Sequence, residues 1–260
     1  MWVKTMTVKK TEKIGIEAIH QPVFKVTGVP AVENVNYTDS STEDSTIPDA
    51  VVWASQRDGF VLESILESVA WRVASDGKED ANLYRASRTS GVNFLGDDGK
   101  LYLAVDDTRE KESNIVLALA KNGKTSLPRN HPLVEAHIQR AYDSQRVVPI
   151  TWNSRRTELS TRKTGGVSPF GMFPAIRAGI GELSEVHAQW LQERGQHGFF
   201  YGLTPEELVK AGVDKNTVEV RPWALGYGYG SVDGVDAGCD FGSNGGHSRG
   251  TSLSQKISTG

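Results

Sequence analysis

Residues 91–106 constrain this chain more than any other stretch. Val92, Asn93 and Phe94 run into Gly96, Asp97, Asp98 and Gly99, and Leu101, Tyr102 and Leu103 run out again. Apolar arms on either side of a glycine-and-aspartate turn predict an antiparallel β-hairpin. Its apolar face then needs a second layer from elsewhere in the chain.

Segments of helical period can supply that layer. Leu62, Leu66, Val69 and Val73 recur on one helical face, broadened by Ile65 and Trp71, which predicts a helix from an Asp58 N-cap to about Val73. A second helix is expected with Asn130 as cap, Pro132 in its first turn, and Val134, Ile138 and Ala141 inward. Leu183 to Arg194, ended by Gly195, predicts a third. Thr204, Pro205, Glu206 and Glu207 form a capping box that opens a fourth, closed by Gly212.

The alternation from Ile14 to Val26 predicts a strand, bent or at an edge because of Pro22. Further strands are expected at Asn114–Leu119, Val147–Trp152 and around Glu219. Asn34 to Asp49 is mostly Ser, Thr, Asp, Glu and Asn, and reads as a long exposed loop. Hairpins and helices interspersed without a βαβ rhythm predict an α+β fold: a mixed or antiparallel sheet with hairpins, several amphipathic helices, and a glycine-rich irregular C-terminal segment. The expected division is a single α+β domain over 1–225, with an inserted basic loop near 153–181, and the glycine-rich segment over 226–260.

In that last segment Gly226, Gly230, Gly234, Gly238, Gly242, Gly246 and Gly250 fall at every fourth residue. So much glycine makes a helix improbable, and a series of turns laid over a neighbour is the expectation. Asp233, Asp236, Asp240 and Asn244 match no calcium-loop pattern.

Composition excludes several classes. The single Cys239 permits neither an intramolecular disulfide nor a cysteine zinc site. The longest aliphatic run, Ile115 to Ala120, is far short of the ~20 residues of a membrane helix, and no secretory signal pattern opens the sequence. A cytoplasmic protein with no membrane partner is expected, or a virion component. The formal net charge of -3 makes no bulk case for polyanions, so any such case must be local.

Motifs for chemistry are weak. Ala118 to Thr125 follows a loosened phosphate-loop pattern, but Pro128 and Pro132 block the helix that must cradle the phosphates, so no nucleotide cofactor is expected. Two Asp-Gly-Lys triplets, at Asp76 and Asp98, could join Glu63 and Glu67 in a metal-dependent nuclease site. The second triplet, however, lies in the hairpin turn, and the Glu pair lies on the expected solvated helix face. His20, His131, His137, His187, His197 and His247 show no zinc spacing, and His137 and His187 are expected at the core boundary. No Gly-x-Ser-x-Gly elbow nominates a serine nucleophile.

The basic region departs furthest from average. From Arg140 to Arg177 there are seven cations against two acids. The cations Arg140, Arg146, Arg155, Arg156, Arg162, Lys163 and Arg177, with Trp152 for stacking, are the parts of a single-stranded nucleic-acid groove. The function expected first is a nucleic-acid-binding subunit of a larger assembly, without cofactor or metal. A structural assembly protein contacting other chains or copies of itself comes second, and a metal-dependent nuclease third.

Overall fold

The computed structural model describes residues 14–20, 23–41, 45–75, 85–119, 125–227, 232–239 and 244–253. In chain order the strands are β1 (Gly15–His20), β2 (Val23–Thr27), β3 (Val35–Ser40), β4 (Ser45–Thr46), β5 (Val61–Leu62), β6 (Arg85–Leu95), β7 (Leu101–Asp106) and β8 (Ser126–Pro128). They continue with β9 (Val147–Pro149), β10 (Arg156–Leu159), β11 (His197–Tyr201), β12 (Thr217–Tyr227), β13 (Val232–Asp236), β14 (Asn244–Gly246) and β15 (Arg249–Leu253). The helices are α1 (Ile47–Ser55), α2 (Ile65–Ser75), α3 (Ile115–Leu119), α4 (Pro132–Asp143), α5 (Pro169–Met172), α6 (Pro174–Ile180), α7 (Leu183–Glu193) and α8 (Pro205–Lys210). No helix among the described residues is long and apolar enough to cross a membrane.

One sheet has the order β1-β2-β3-β15-β5, and a larger one runs β10-β11-β13-β12-β6-β7-β9, with β8 pairing β12. The described pairings are antiparallel except β11 with β13. This is the expected α+β class with mixed and antiparallel sheets. The 91–106 hairpin is present as β6 and β7, its turn set by Gly99 at φ +76° and by Asp98, whose carboxylate accepts from the Lys100 N–H at 3.1 Å.

Consecutive residues of β7 show why the large sheet is stable. Leu103 and Val105 belong to an apolar cluster with Trp71, Trp223 and Phe200, whereas Ala104 packs in another with Phe94, Val134 and Ile138. Adjacent strand residues point to opposite faces, so the sheet is covered on both. Trp223 is fully buried and lies so close to Gly91 and Gly179 that a Cβ at either would stand within 2.8 Å of its ring.

Local capping set several helix ends as expected. Thr204 and Glu207 form the reciprocal capping box of α8, and Gly212 follows at φ +83°. The cap of α4 is His131, one residue after Asn130, its Nδ1 accepting from the Leu133 N–H at 3.2 Å.

Other expectations are corrected. The strand expected over Ile14–Val26 is a hairpin of two strands, β1 and β2. The described part of residues 34–49 is not an exposed loop, because β3 buries Val35, Tyr37 and Thr38 and α1 begins at Ile47; residues 42–44 lie outside the described residues. Leu62 belongs to β5, so the helix begins only at Ile65. Residues 115–119 are helical rather than extended, since the Asn114 side chain accepts from Val116 and Leu117 N–H. The inserted basic loop contains β10, α5 and α6. The glycine-rich stretch carries β13, β14 and β15 in place of irregular turns, and residue 225 falls inside β12.

Candidate functional site

Within the basic stretch, the segment between β10 and α5 makes a short exposed turn. Two buried hydroxyl residues bracket it. Thr161 Oγ1 donates to the Gln196 carbonyl at 2.9 Å, and Ser168 Oγ accepts from the Gly171 N–H to cap α5. Between them residues 162–167 are all exposed. Thr164 and Val167 bridge across Gly165 and Gly166, at φ +64° and +91°, the left-handed pair that a two-residue turn requires.

Arg155, Arg156, Arg162 and Lys163 are all exposed here. Arg155 lies 3.2 Å from Glu207 and over the Tyr201 ring at 4.9 Å. Arg156 lies 3.5 Å from Glu158 and over Phe199 at 5.2 Å. Arg162 and Lys163 make no ion pair among the described residues. Among the described residues β10 pairs only with β11 at the end of the eight-stranded sheet; Arg156 lies in it, Arg155 just before it, and Arg162 and Lys163 in the segment that follows.

The remaining sequence-nominated residues lie elsewhere. Arg140 pairs with Asp106 at 2.7 Å, and Arg146 with Asp107 at 2.6 Å while also donating to the Gly179 carbonyl. Asp106 ends β7 and Asp107 follows it, toward the edge opposite β10. Arg177 is exposed on α6, near Met172, and lines a cleft with Arg146 and Val148. Trp152 is buried, donating from Nε1 to the Leu203 carbonyl at 3.0 Å and packing edge-on against Phe200. It supports the frame and is not a free stacking surface. The eight residues therefore form no single groove; four lie in β10 or within a few residues of it.

A different ionic cluster is buried. Glu67 takes both terminal nitrogens of Arg88, at 2.7 and 2.9 Å, pairs with Arg109, and accepts from Thr251 Oγ1 at 2.9 Å. Burial pushes the Glu67 carboxyl up, but the Arg88 and Arg109 charges outweigh it and hold its pKa at about 2. Glu63, fully buried, is raised by burial against the opposing pull of Arg249, whose guanidinium rests over Trp71 at 3.7 Å. The two Glu residues are thus interior, not on a solvated face: Glu67 in α2 meets Arg88 of β6 and Thr251 of β15, and Glu63, between β5 and α2, bonds through its backbone to Arg88 and Arg249.

Asp98 remains in its exposed turn, accepting from the Tyr102 hydroxyl at 2.9 Å. The exposed Asp98 therefore stands apart from the two interior carboxylates, and no metal-holding group of His, Cys, Asp and Glu occurs among the described residues. The Asp76 triplet and residues 120–124 of the phosphate-loop pattern lie outside the described residues. His137 and His187, expected at the boundary, are fully buried. Sequence reasoning missed the Glu67 cluster, whose partners lie 21 and 184 residues away along the chain. It also missed a cleft around Arg129, to which no local pattern points.

No protein-family profile and no curated protein matches the chain. Among solved structures, it is similar to one described as the accommodation of massive sequence variation in Nanoarchaeota by the C-type lectin fold. The TM-score is 0.56 at 12% identity, over 83% of this chain and 97% of that one. The fold of this chain is C-type lectin-like.

Proposed function

We infer that this chain is a binding protein that uses its C-type lectin-like frame to present the β10 edge and the 162–167 turn to an anionic partner. The observation that carries this reading is the pair Arg162 and Lys163, exposed on a glycine turn with no ion pair among the described residues. Elsewhere in the basic region Arg140 and Arg146 are committed to Asp106 and Asp107. Cations held apart from acids on a rigid tip attract polyanions at long range.

The similar structure's fold accommodates massive sequence variation. Such tolerance requires a frame that does not depend on part of its surface. In this chain the frame rests on the Glu67 cluster and the tryptophan-rich core, and residues 162–167 contribute nothing to either. Their side chains are the recognition part of the molecule.

A nucleic-acid phosphate backbone is the first partner to test, through Arg155, Arg156, Arg162 and Lys163. Fluorescence anisotropy with a labelled oligothymidylate should give an affinity that falls with salt. Arg162→Ser with Lys163→Ser should flatten that salt slope by about one to two units. An affinity indifferent to both the salt and the double substitution excludes the phosphate backbone as partner.

A further inference from the structure

Another feature lies between β8, α4 and the turn leading into β12. It is a cleft of about 650 Å³ whose lining includes Arg129, Asn130, Glu135, Tyr142, Lys215 and Asn216. That volume is within the range of small-molecule sites. Its walls are fixed on both sides. Glu135, Gln139 and Tyr142 are spaced to share one face of α4. Opposite them, the Arg129 N–H donates to the Asn216 carbonyl at 2.6 Å, tying β8 to the turn. The Asp214 carboxylate accepts from the Asn216 and Thr217 N–H groups, both at 2.8 Å, and so holds the segment that carries Lys215.

Arg129 is the unusual member of the lining. Its guanidinium rests over the Phe94 ring, 4.3 Å from the centroid. Nη1 is sealed from solvent without a hydrogen-bond acceptor, and the side chain has no ion pair among the described residues. A guanidinium keeps its charge at any ordinary pH and offers its donors as a planar fork matched to an oxyanion. With Nη1 sealed, the donors left for a ligand in the cleft that Arg129 lines are Nε and Nη2.

The other charges narrow the ligand. Lys215 adds a second cation and Glu135 one carboxylate, so the lining carries a single excess positive charge. A monoanion matches that balance, whereas a dianion would also meet Glu135. Tyr142, 53% exposed, and Ile138 supply apolar surface for the body of the molecule. We propose that this cleft binds a small monocarboxylate carried on an apolar or aromatic body. Arg129 takes the carboxylate, Lys215 adds charge, and Ile138 and Tyr142 receive the body. This site is separate from the β10 edge and does not depend on what binds there.

Calorimetric titration of the full chain with benzoate, and in parallel with inorganic phosphate, tests it. Benzoate should bind saturably and phosphate more weakly. Arg129→Gln should weaken benzoate at least about tenfold, as loss of a charge-assisted fork does. Lys215→Gln should weaken it several-fold, and the Arg162→Ser, Lys163→Ser double variant should leave it unchanged. Lys215 is exposed, so its variant decides the matter if loss of the Phe94 contact stops Arg129→Gln from folding. Absence of saturable benzoate binding, equal affinity in wild type and the cleft variants, or phosphate binding as tightly as benzoate would overturn the proposal.

Discussion

Acid should unfold this protein through its two interior histidines. His137 donates from Nε2 to the Ala104 carbonyl at 2.9 Å while Nδ1 has no hydrogen bond. Burial lowers its pKa from 6.5 to about 4. His187 stands edge-on to Phe170 and beside Trp190, with neither ring nitrogen hydrogen-bonded. Burial, reinforced by the Arg72 charge, lowers its pKa from 6.5 to about 3. In the unfolded chain both rings take up protons near their ordinary value, which the folded protein refuses. The unfolded state therefore binds more protons below about pH 6.5, and stability falls as pH falls until the folded values are reached. Each ring contributes about 1.4 kcal/mol per pH unit in that window, so the pair removes roughly 4 kcal/mol by pH 5. That is a large share of the ~5–15 kcal/mol typical of a domain. Glu67 does not contribute there, because a carboxylate held at about 2 costs stability only as pH drops below its unfolded value of 4.5. Urea denaturation at a series of pH values should give a slope approaching two protons between about pH 6.5 and 5, less the opposing proton uptake of Glu63, whose carboxyl burial raises in the folded state. His187→Phe, which suits a pocket of Phe170 and Trp190, should lower that slope by about one proton. A flat profile, or an undiminished slope in His187→Phe, would refute the reasoning.

Three further outcomes follow from packing. Gly179→Ala places a Cβ 2.5 Å from Trp223 Cζ3, so overpacking of about 1–3 kcal/mol should exceed the helix-propensity gain; chemical denaturation reads the difference. Glu67→Gln leaves the buried Arg88 and the half-buried Arg109 without their counter-charge and should cost about 3–5 kcal/mol, seen as a lowered urea midpoint. Truncation after Leu225 removes β13 and β15, and should abolish the cooperative transition in circular dichroism instead of leaving a folded core.

What was legible in the sequence is what local geometry decides. The Asp98–Gly99 turn, the Thr204–Glu207 capping box and the inward face of α4 each depend on residues a few positions apart. β3 escaped notice because its polar residues serve interior partners: the Ser40 hydroxyl accepts from Arg85 and Arg249, both at 2.7 Å, and the Thr38 carbonyl from Arg249 at 3.1 Å. The run Ile115–Leu119 is too short for its period to separate helix from strand, and the Asn114 side chain decided it. In the candidate site, the exposure of Arg155, Arg156, Arg162 and Lys163 followed from the cost of burying clustered cations. That Arg140 and Arg146 already had Asp106 and Asp107 did not, since both pairs are made across more than thirty residues.

The position of β15 sets a timetable for the molecule. It lies between β3 and β5, and its Gly250 N–H donates to Thr38 Oγ1, 212 residues earlier in the sequence. β3 and β5 cannot join one sheet until the ribosome has made the strand that separates them. At ~5–20 residues per second that interval lasts roughly ten seconds or more. Throughout it Glu67 lacks Thr251, and the edges of β3 and β5 are open to strangers. Closure of this sheet thus waits on residue 253, and until then the nascent protein is a natural client for chaperones.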